Sequence, residues 1–222
     1  MKKAIILLSG GLDSATVAAI ALNKGYDLHA VSFDYGQKHK KELDHVNLIK
    51  QSFNINSAQV IKLEPEVFAT SSLTGDSPIE KNRDLNSLEI PNTYVPARNI
   101  IFLSYTLAIA ESYNICDIFI GANAVDYSGY PDCRAEFIAD FAKMANSGTK
   151  LGQTRKINIH APLINLTKAE IIKKGLGLGV DYSITHSCYD PINEYSCGKC
   201  DSCLLRLKGF SENNIKDPIK YA

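Results

Sequence analysis

The chain has 222 residues, with 24 Lys and Arg balanced by 24 Asp and Glu, and 45% of it is hydrophobic against 22% charged. That length carries one domain, or one domain with a small appendage, and the composition excludes a disordered chain, a collagen-like fibre and a coiled coil. With no net charge there is no positive field to make nucleic acid or an anionic membrane the main partner.

The first apolar run, Ala4 to Leu8, is too short for a secretory h-region and is followed at once by Ser9-Gly10-Gly11. It reads instead as a strand buried on both faces. No later run approaches the length of a membrane span, so the sequence predicts a soluble, cytoplasmic protein. Asp13 to Lys24 is rich in Ala, Val, Ile and Leu and predicts a helix closed by Gly25. Leu28 to Phe33 predicts a second strand. Leu43, Val46, Ile49 and Phe53 give a helix with one buried stripe, and Gln59 to Leu63 a third strand. Strand, helix, strand, helix, strand is the pattern of a parallel sheet with crossover helices.

Residues 64–92 interrupt that rhythm with Pro65, Gly75, Pro78 and Pro91, and predict a lid insertion. The alternation resumes with a helix over Asn99–Tyr113, a strand over Asp117–Gly121, a helix over Ala135–Asn146 and a strand over Lys156–His160. Thr167-Lys168-Ala169-Glu170 is a capping-box start for a helix running toward Gly175–Gly179. The predicted fold is α/β: a doubly wound, mainly parallel sheet with helices on both faces over residues 1–182. Residues 183–222 form a small C-terminal zinc-binding segment.

That segment holds Cys188, Cys197, Cys200 and Cys203, four of the six cysteines. Four thiolates at this spacing close a tetrahedron around one structural Zn²⁺, with Gly198 allowing the turn and Lys199 and Arg206 placing positive charge nearby. An iron–sulfur cluster is the rival reading, lacking here the usual fourth Cys followed by Pro. Cys116 reads as a packed small hydrophobe. Around Cys133 there is no His-and-acid pattern of a glutaminase.

Ser9-Gly10-Gly11-Leu12-Asp13-Ser14 lies between the first strand and the first helix. Two glycines let backbone N–H groups converge on an anion, Ser9 and Ser14 add hydroxyls, and the helix N-terminus adds partial positive charge. The plain alternative is a tight turn capped by Asp13 or Ser14. The string is neither a Walker A loop nor a dinucleotide fingerprint. It resembles the signature of the PP-loop, or N-type, ATP pyrophosphatases, which cleave ATP between the α- and β-phosphates.

Further strings narrow the resemblance: Phe33-Asp34-Tyr35-Gly36-Gln37-Lys38-His39, Thr93-Tyr94-Val95-Pro96-Ala97-Arg98-Asn99, the stretch from Gly121 to Arg134, and Cys197-Gly198-Lys199-Cys200-Asp201-Ser202-Cys203. Together, in order from about residue 4 to about residue 210, they resemble the 7-cyano-7-deazaguanine synthase family of queuosine biosynthesis. The resemblance implies an adenine nucleotide alpha hydrolase-like fold and two ATP-dependent adenylations. The first acts on the carboxylate of 7-carboxy-7-deazaguanine, which ammonia turns into the amide. The second acts on the amide oxygen, whose loss as AMP leaves the nitrile. It also implies Mg²⁺, one zinc per chain and a homodimer, with no membrane and no nucleic acid as partner.

In those terms Leu8, Ser9, Gly10, Gly11, Leu12, Asp13, Ser14, Ala15, Thr16, Val17, Ala18, Arg98 and Asn99 are the candidate nucleotide contacts, with Ser9, Asp13, Ser14 and Arg98 catalytic. Tyr35, Gln37, Asp126, Tyr127, Tyr130, Asp132 and Arg134 are the candidate substrate contacts, acidic groups to read the donor edge of a guanine-like base and a tyrosine to stack on it. His39 and Glu42 read equally as a general base or as a salt-bridged helix start. The competing readings are a tRNA-modifying enzyme of the same fold, a synthetase acting on another carboxylic acid, and a non-catalytic zinc module that binds nucleic acid.

Overall fold

The computed structural model describes residues 2–38, 41–85, 89–125 and 130–222. Five parallel strands form one sheet in the order β3-β2-β1-β4-β5, with β1 Lys2–Leu7, β2 Tyr26–Asp34, β3 Ser57–Lys62, β4 Asp117–Phe119 and β5 Asn158–His160. The helices are α1 Leu12–Asn23, α2 Lys41–Ser52, α3 Arg98–Ser112, α4 Ala135–Gly148, α5 Lys150–Thr154, α6 Lys168–Gly177 and α7 Asp201–Glu212. The doubly wound α/β class expected from the sequence holds, and every strand pair is parallel.

Period-two alternation in β1 divides the interior. Ala4, Ile6 and Leu8 join α1, α2, α6 and Phe210 of α7 on one face. Ile5 and Leu7 join α3, α4 and Leu151 on the other. Ile5 and Ile6 are fully buried, and each contributes about 1.5–3 kcal/mol through the area it removes from water. Helix α1 is buried almost all round from Leu12 to Ala21, which explains a sequence of small and apolar residues with no polar stripe.

Some boundaries differ from the sequence reading for local reasons. β5 starts at Asn158 and not at Lys156, because the Ile157 N–H donates to the Asn146 side chain (2.9 Å) and leaves the ladder. It ends at His160, two residues before Pro162, which has no N–H to donate. β4 stops at Phe119, and one more ladder bond runs from Ile120 N–H to the His160 carbonyl. The capping box of α6 is present in full, Thr167 and Glu170 each bonding the other's backbone N–H.

Residues 64–92 start with a 3₁₀ turn at Pro65–Phe68 and bury Phe68 and Leu73 in the second core. Further along, Asn82 N–H donates to the Lys199 carbonyl, Lys81 pairs with Asp190 and Arg83 with Asp201, so this stretch docks on the cysteine segment. Behind the cysteines, Arg206 is 1% exposed. Its guanidinium binds both Asp217 carboxylate oxygens (2.8 and 3.0 Å), the Thr185 hydroxyl and the Tyr182 carbonyl. Of the two cations expected near the thiolates, Arg206 is thus turned toward the C-terminal tail. Among the described residues no helix is long and apolar enough to cross a membrane.

Candidate functional site

β1 is flanked by β2 on one side and β4 on the other, so the winding reverses beside it. A crevice forms at the carboxyl ends of strands at such a point. A cavity of about 220 Å³ lies there, lined by the Ser-Gly-Gly loop, the loop after β2, the start of α3, the residues after β4, and His186–Tyr189.

Gly10 takes φ +87°, and a Cβ on it would overlap the Glu42 carbonyl oxygen. Its own carbonyl accepts from His186 N–H (2.9 Å). Ser9 N–H donates to Ser14 Oγ, which donates to the Gly11 carbonyl (3.0 Å), and Gly11 N–H donates to Ser9 Oγ. Gly11 is the N-cap of α1, and no side chain caps that end. The capping role considered for Asp13 and Ser14 is thus not taken up. The first-turn amides keep their donors and the helix its positive end, which together suit an anion. Gly121, just after β4, brings a second backbone within 3.3 Å (from its would-be Cβ) of Ser14 N.

The charged groups of the wall sit in fixed company. Asp13 is held by Lys168 at the start of α6, Nζ lying 2.7 and 2.9 Å from its two oxygens. Lys168 is buried and was not singled out in the sequence, where it reads only as the first residue after a cap. Arg98 opens α3 behind Ala97, whose left-handed backbone (φ +54°) costs about 1–2 kcal/mol for a residue with a Cβ and aims the helix start at the cavity. Burial opposes the charge on Arg98, but Tyr35, Tyr189, Cys133 and Asp132 around it more than compensate and its pKa is raised. Burial pushes the Tyr35 hydroxyl up against the pull of Arg98. Burial lifts the Glu42 carboxyl to about 7, again against Arg98. Burial also pushes the Cys133 thiol up to about 11, so it is neutral at physiological pH and no ready nucleophile.

Of the residues singled out in the sequence, Leu8, Ser9, Gly11, Leu12, Asp13, Ser14, Arg98 and Asn99 line the cavity, as do Tyr35, Gln37 and Tyr130. Gly10 shapes the loop from behind. Ala15, Thr16, Val17 and Ala18 are fully buried inside α1, away from the wall. Thr16 Oγ1 bonds the Leu12 carbonyl and the Tyr182 hydroxyl. The Gln37 amide is bonded to its own loop, accepting from Tyr35 N–H and donating to the Phe33 carbonyl. Asp132 accepts from Asn99 N–H (3.0 Å) and so caps α3 from outside the helix; it does not line the cavity, nor does the exposed Arg134. Tyr130 bonds the Thr93 hydroxyl. His39, Asp126 and Tyr127 lie outside the described residues.

Cys188, Cys197, Cys200 and Cys203 are all buried, with their sulfurs within 4.8 Å of one another. Backbone N–H groups of Tyr189, Asp190, Cys197, Lys199 and Cys200 point at three of those sulfurs at 3.2–3.4 Å. Donors aimed at sulfur stabilise negative charge there, and four like-charged sulfurs this close require a cation between them. The donor set fits a metal ion. Cys188 also lines the cavity, so the metal segment forms part of the wall.

The family model described as "Queuosine biosynthesis protein QueC" matches residues 3–214. The chain belongs to this family. It is 55% identical over 225 residues to a 7-cyano-7-deazaguanine synthase of Desulfatibacillum aliphaticivorans, covering 99% of this chain and 97% of that one. It is 54% identical to the synthase of Citrifermentans bemidjiense, covering 99% and 98%. Among solved structures, a predicted subunit of tRNA methyltransferase from Methanocaldococcus jannaschii superposes with a TM-score of 0.52 at 15% identity, covering 100% and 93%; the likeness is one of fold.

Proposed function

We propose that the chain converts 7-carboxy-7-deazaguanine and ammonia to 7-cyano-7-deazaguanine, with ATP cleaved to AMP and pyrophosphate at each of two adenylations. The observation that carries this is the uncapped Ser-Gly-Gly helix start at the reversal of the sheet, opening on the same cavity as Arg98, in a chain more than half identical to named synthases over almost its full length. A leaving pyrophosphate is highly charged. The first-turn amides of α1, the Ser9 and Ser14 hydroxyls and Arg98 receive it. Asp13 is the group to hold Mg²⁺, which neutralises phosphate charge when bound, with Lys168 keeping the carboxylate oriented. The base lies toward Tyr35 and Tyr130.

The metal is zinc in this reading. Cys197 and Cys203 sulfurs are 4.0 Å apart, close to the roughly 3.8 Å edge of a tetrahedron built on Zn–S bonds of about 2.3 Å. An iron–sulfur cage holds its cysteine sulfurs further apart. With four thiolates the site is closed and structural. Residues 64–92 act as a lid hinged on the metal segment (183–222). The protein works in the cytoplasm as a homodimer, on small molecules and without nucleic acid.

The test is incubation with ATP, Mg²⁺, ammonium and 7-carboxy-7-deazaguanine, following nucleotide and base by mass. AMP together with the nitrile is expected. ADP in place of AMP, or turnover independent of the deazaguanine, refutes the proposal.

A further inference from the structure

The second half of the proposed reaction has a requirement that phosphate binding does not meet. Once the amide oxygen carries AMP, carbon is bonded to an NH₂ group bearing positive charge. Forming the nitrile breaks the C–O bond, whose electron pair leaves with AMP. Two protons leave the nitrogen: the electron pair of one N–H bond becomes the third carbon–nitrogen bond, and that of the other stays on nitrogen as the lone pair of the nitrile. The first half likewise releases two protons when ammonium supplies the amine, one from the ammonium ion and one from the nitrogen after it attacks. A proton acceptor on the cavity wall is needed, and it must not be the group that holds phosphate.

Among the described residues the titratable groups on that wall can be taken in turn. Asp13 is bound through both oxygens to Lys168 at the phosphate end. Cys133, Tyr35 and Tyr130 are all pushed up by burial and hold their protons. Lys38 and Arg98 are cations, and Lys38 Nζ donates to the Ser77 carbonyl. The His186 ring bonds the Cys188 carbonyl, and that residue neighbours the metal ligands. Tyr189 faces Arg98 and stands next to a ligand. Glu42 remains. It sits in the first turn of α2, whose backbone packs against Gly10, so its height over the phosphate loop is set by the close approach there. It lines the cavity with Arg98 across from it.

We infer that Glu42 is the general base of the nitrile-forming step, taking protons from the amide nitrogen and passing them to solvent while Arg98 faces the leaving phosphate. A carboxyl lifted to about 7 by burial suits that task, being half ionised at neutral pH and able to release what it takes. This rests on the proposed function, and the experiment separates the two.

Wild type, Glu42→Gln and Glu42→Asp are each given the carboxylate substrate with ammonium, or the pre-formed amide, with ATP and Mg²⁺. Pyrophosphate–ATP exchange on the carboxylate is measured alongside nitrile formation. Metal content and melting temperature matching wild type establish that a variant is folded. The expected result is exchange by Glu42→Gln within about threefold of wild type, with nitrile from the amide down about 100-fold or more. The wild-type rate should rise with pH through neutrality, and the Glu42→Gln rate should not. Glu42→Asp should recover part of the rate together with that rise. Equal loss of exchange and nitrile in a folded variant overturns the inference in favour of a positioning role, and nitrile formation near the wild-type rate overturns it outright. If Glu42→Gln does not fold, Glu42→Asp decides: an unshifted acid limb and unchanged rate overturn the inference. If the wild type makes no nitrile from either substrate, the proposed function itself has failed, whatever the variants do.

Discussion

Replacing Gly10 by Ala tests the loop geometry most directly, because Gly25 supplies an internal control. Both glycines have positive φ, +87° and +79°. At Gly25 a Cβ would meet nothing within 4 Å, whereas at Gly10 it would overlap the carbonyl oxygen of Glu42. The conformational cost of a side chain in this backbone region is about 1–2 kcal/mol at either site. For a chain of this size that lowers Tm by about 2–8 °C. Gly25→Ala should show that loss alone, with AMP production unchanged. Gly10→Ala must in addition push α2 away from the loop or turn the loop itself, since the obstacle is backbone and cannot rotate aside. A displacement of about 1 Å at the amides proposed to receive pyrophosphate costs about 100-fold in rate. Thermal melts and an AMP assay on the two variants give the comparison. If Gly10→Ala melts and turns over like Gly25→Ala, the close packing of α2 on the phosphate loop is irrelevant to function and the reasoning fails.

Arg206→Ala should lower stability by about 3–5 kcal/mol in urea titrations, because it leaves the buried Asp217 carboxylate without its cation. Cys200→Ser should lose the metal, read by elemental analysis as loss of the proposed one zinc per chain, together with a clear drop in Tm, since buried Cys200 sits in the cluster that anchors α7. Burial works to raise the Asp117 carboxyl, but hydrogen bonds from His160, Lys2 and Asn158 outweigh it and hold it below its ordinary value of 3.8. Its contribution is therefore complete above pH 4 and is lost as pH falls through the lowered value. Acid melts of Asp117→Asn should lack that limb, and an unchanged profile would show that the network carries no stability.

Short-range rules already determine a good deal of this molecule. The apolar run ending at Leu8, the glycines after it and the buried small-residue helix are local features, and they place a phosphate-type turn at a strand–helix junction without any tertiary information. The Thr167–Glu170 box marks the start of α6, because both bonds of that motif lie within four residues. The cysteine spacing announces a metal site for the same reason. Partnerships between distant segments were decided only when β1 took its place between β2 and β4. That order brings Lys168 onto Asp13, 155 residues away, and His186 N–H onto the Gly10 carbonyl. It also turns Asp132 into a cap for α3, occupies the Gln37 amide within its own loop, and surrounds Glu42 with enough protein to raise its pKa. A carboxylate in a sequence is the same whether it becomes a cap, an ion-pair partner or a base. Desolvation and neighbouring charge make the difference, and both are properties of the packed fold.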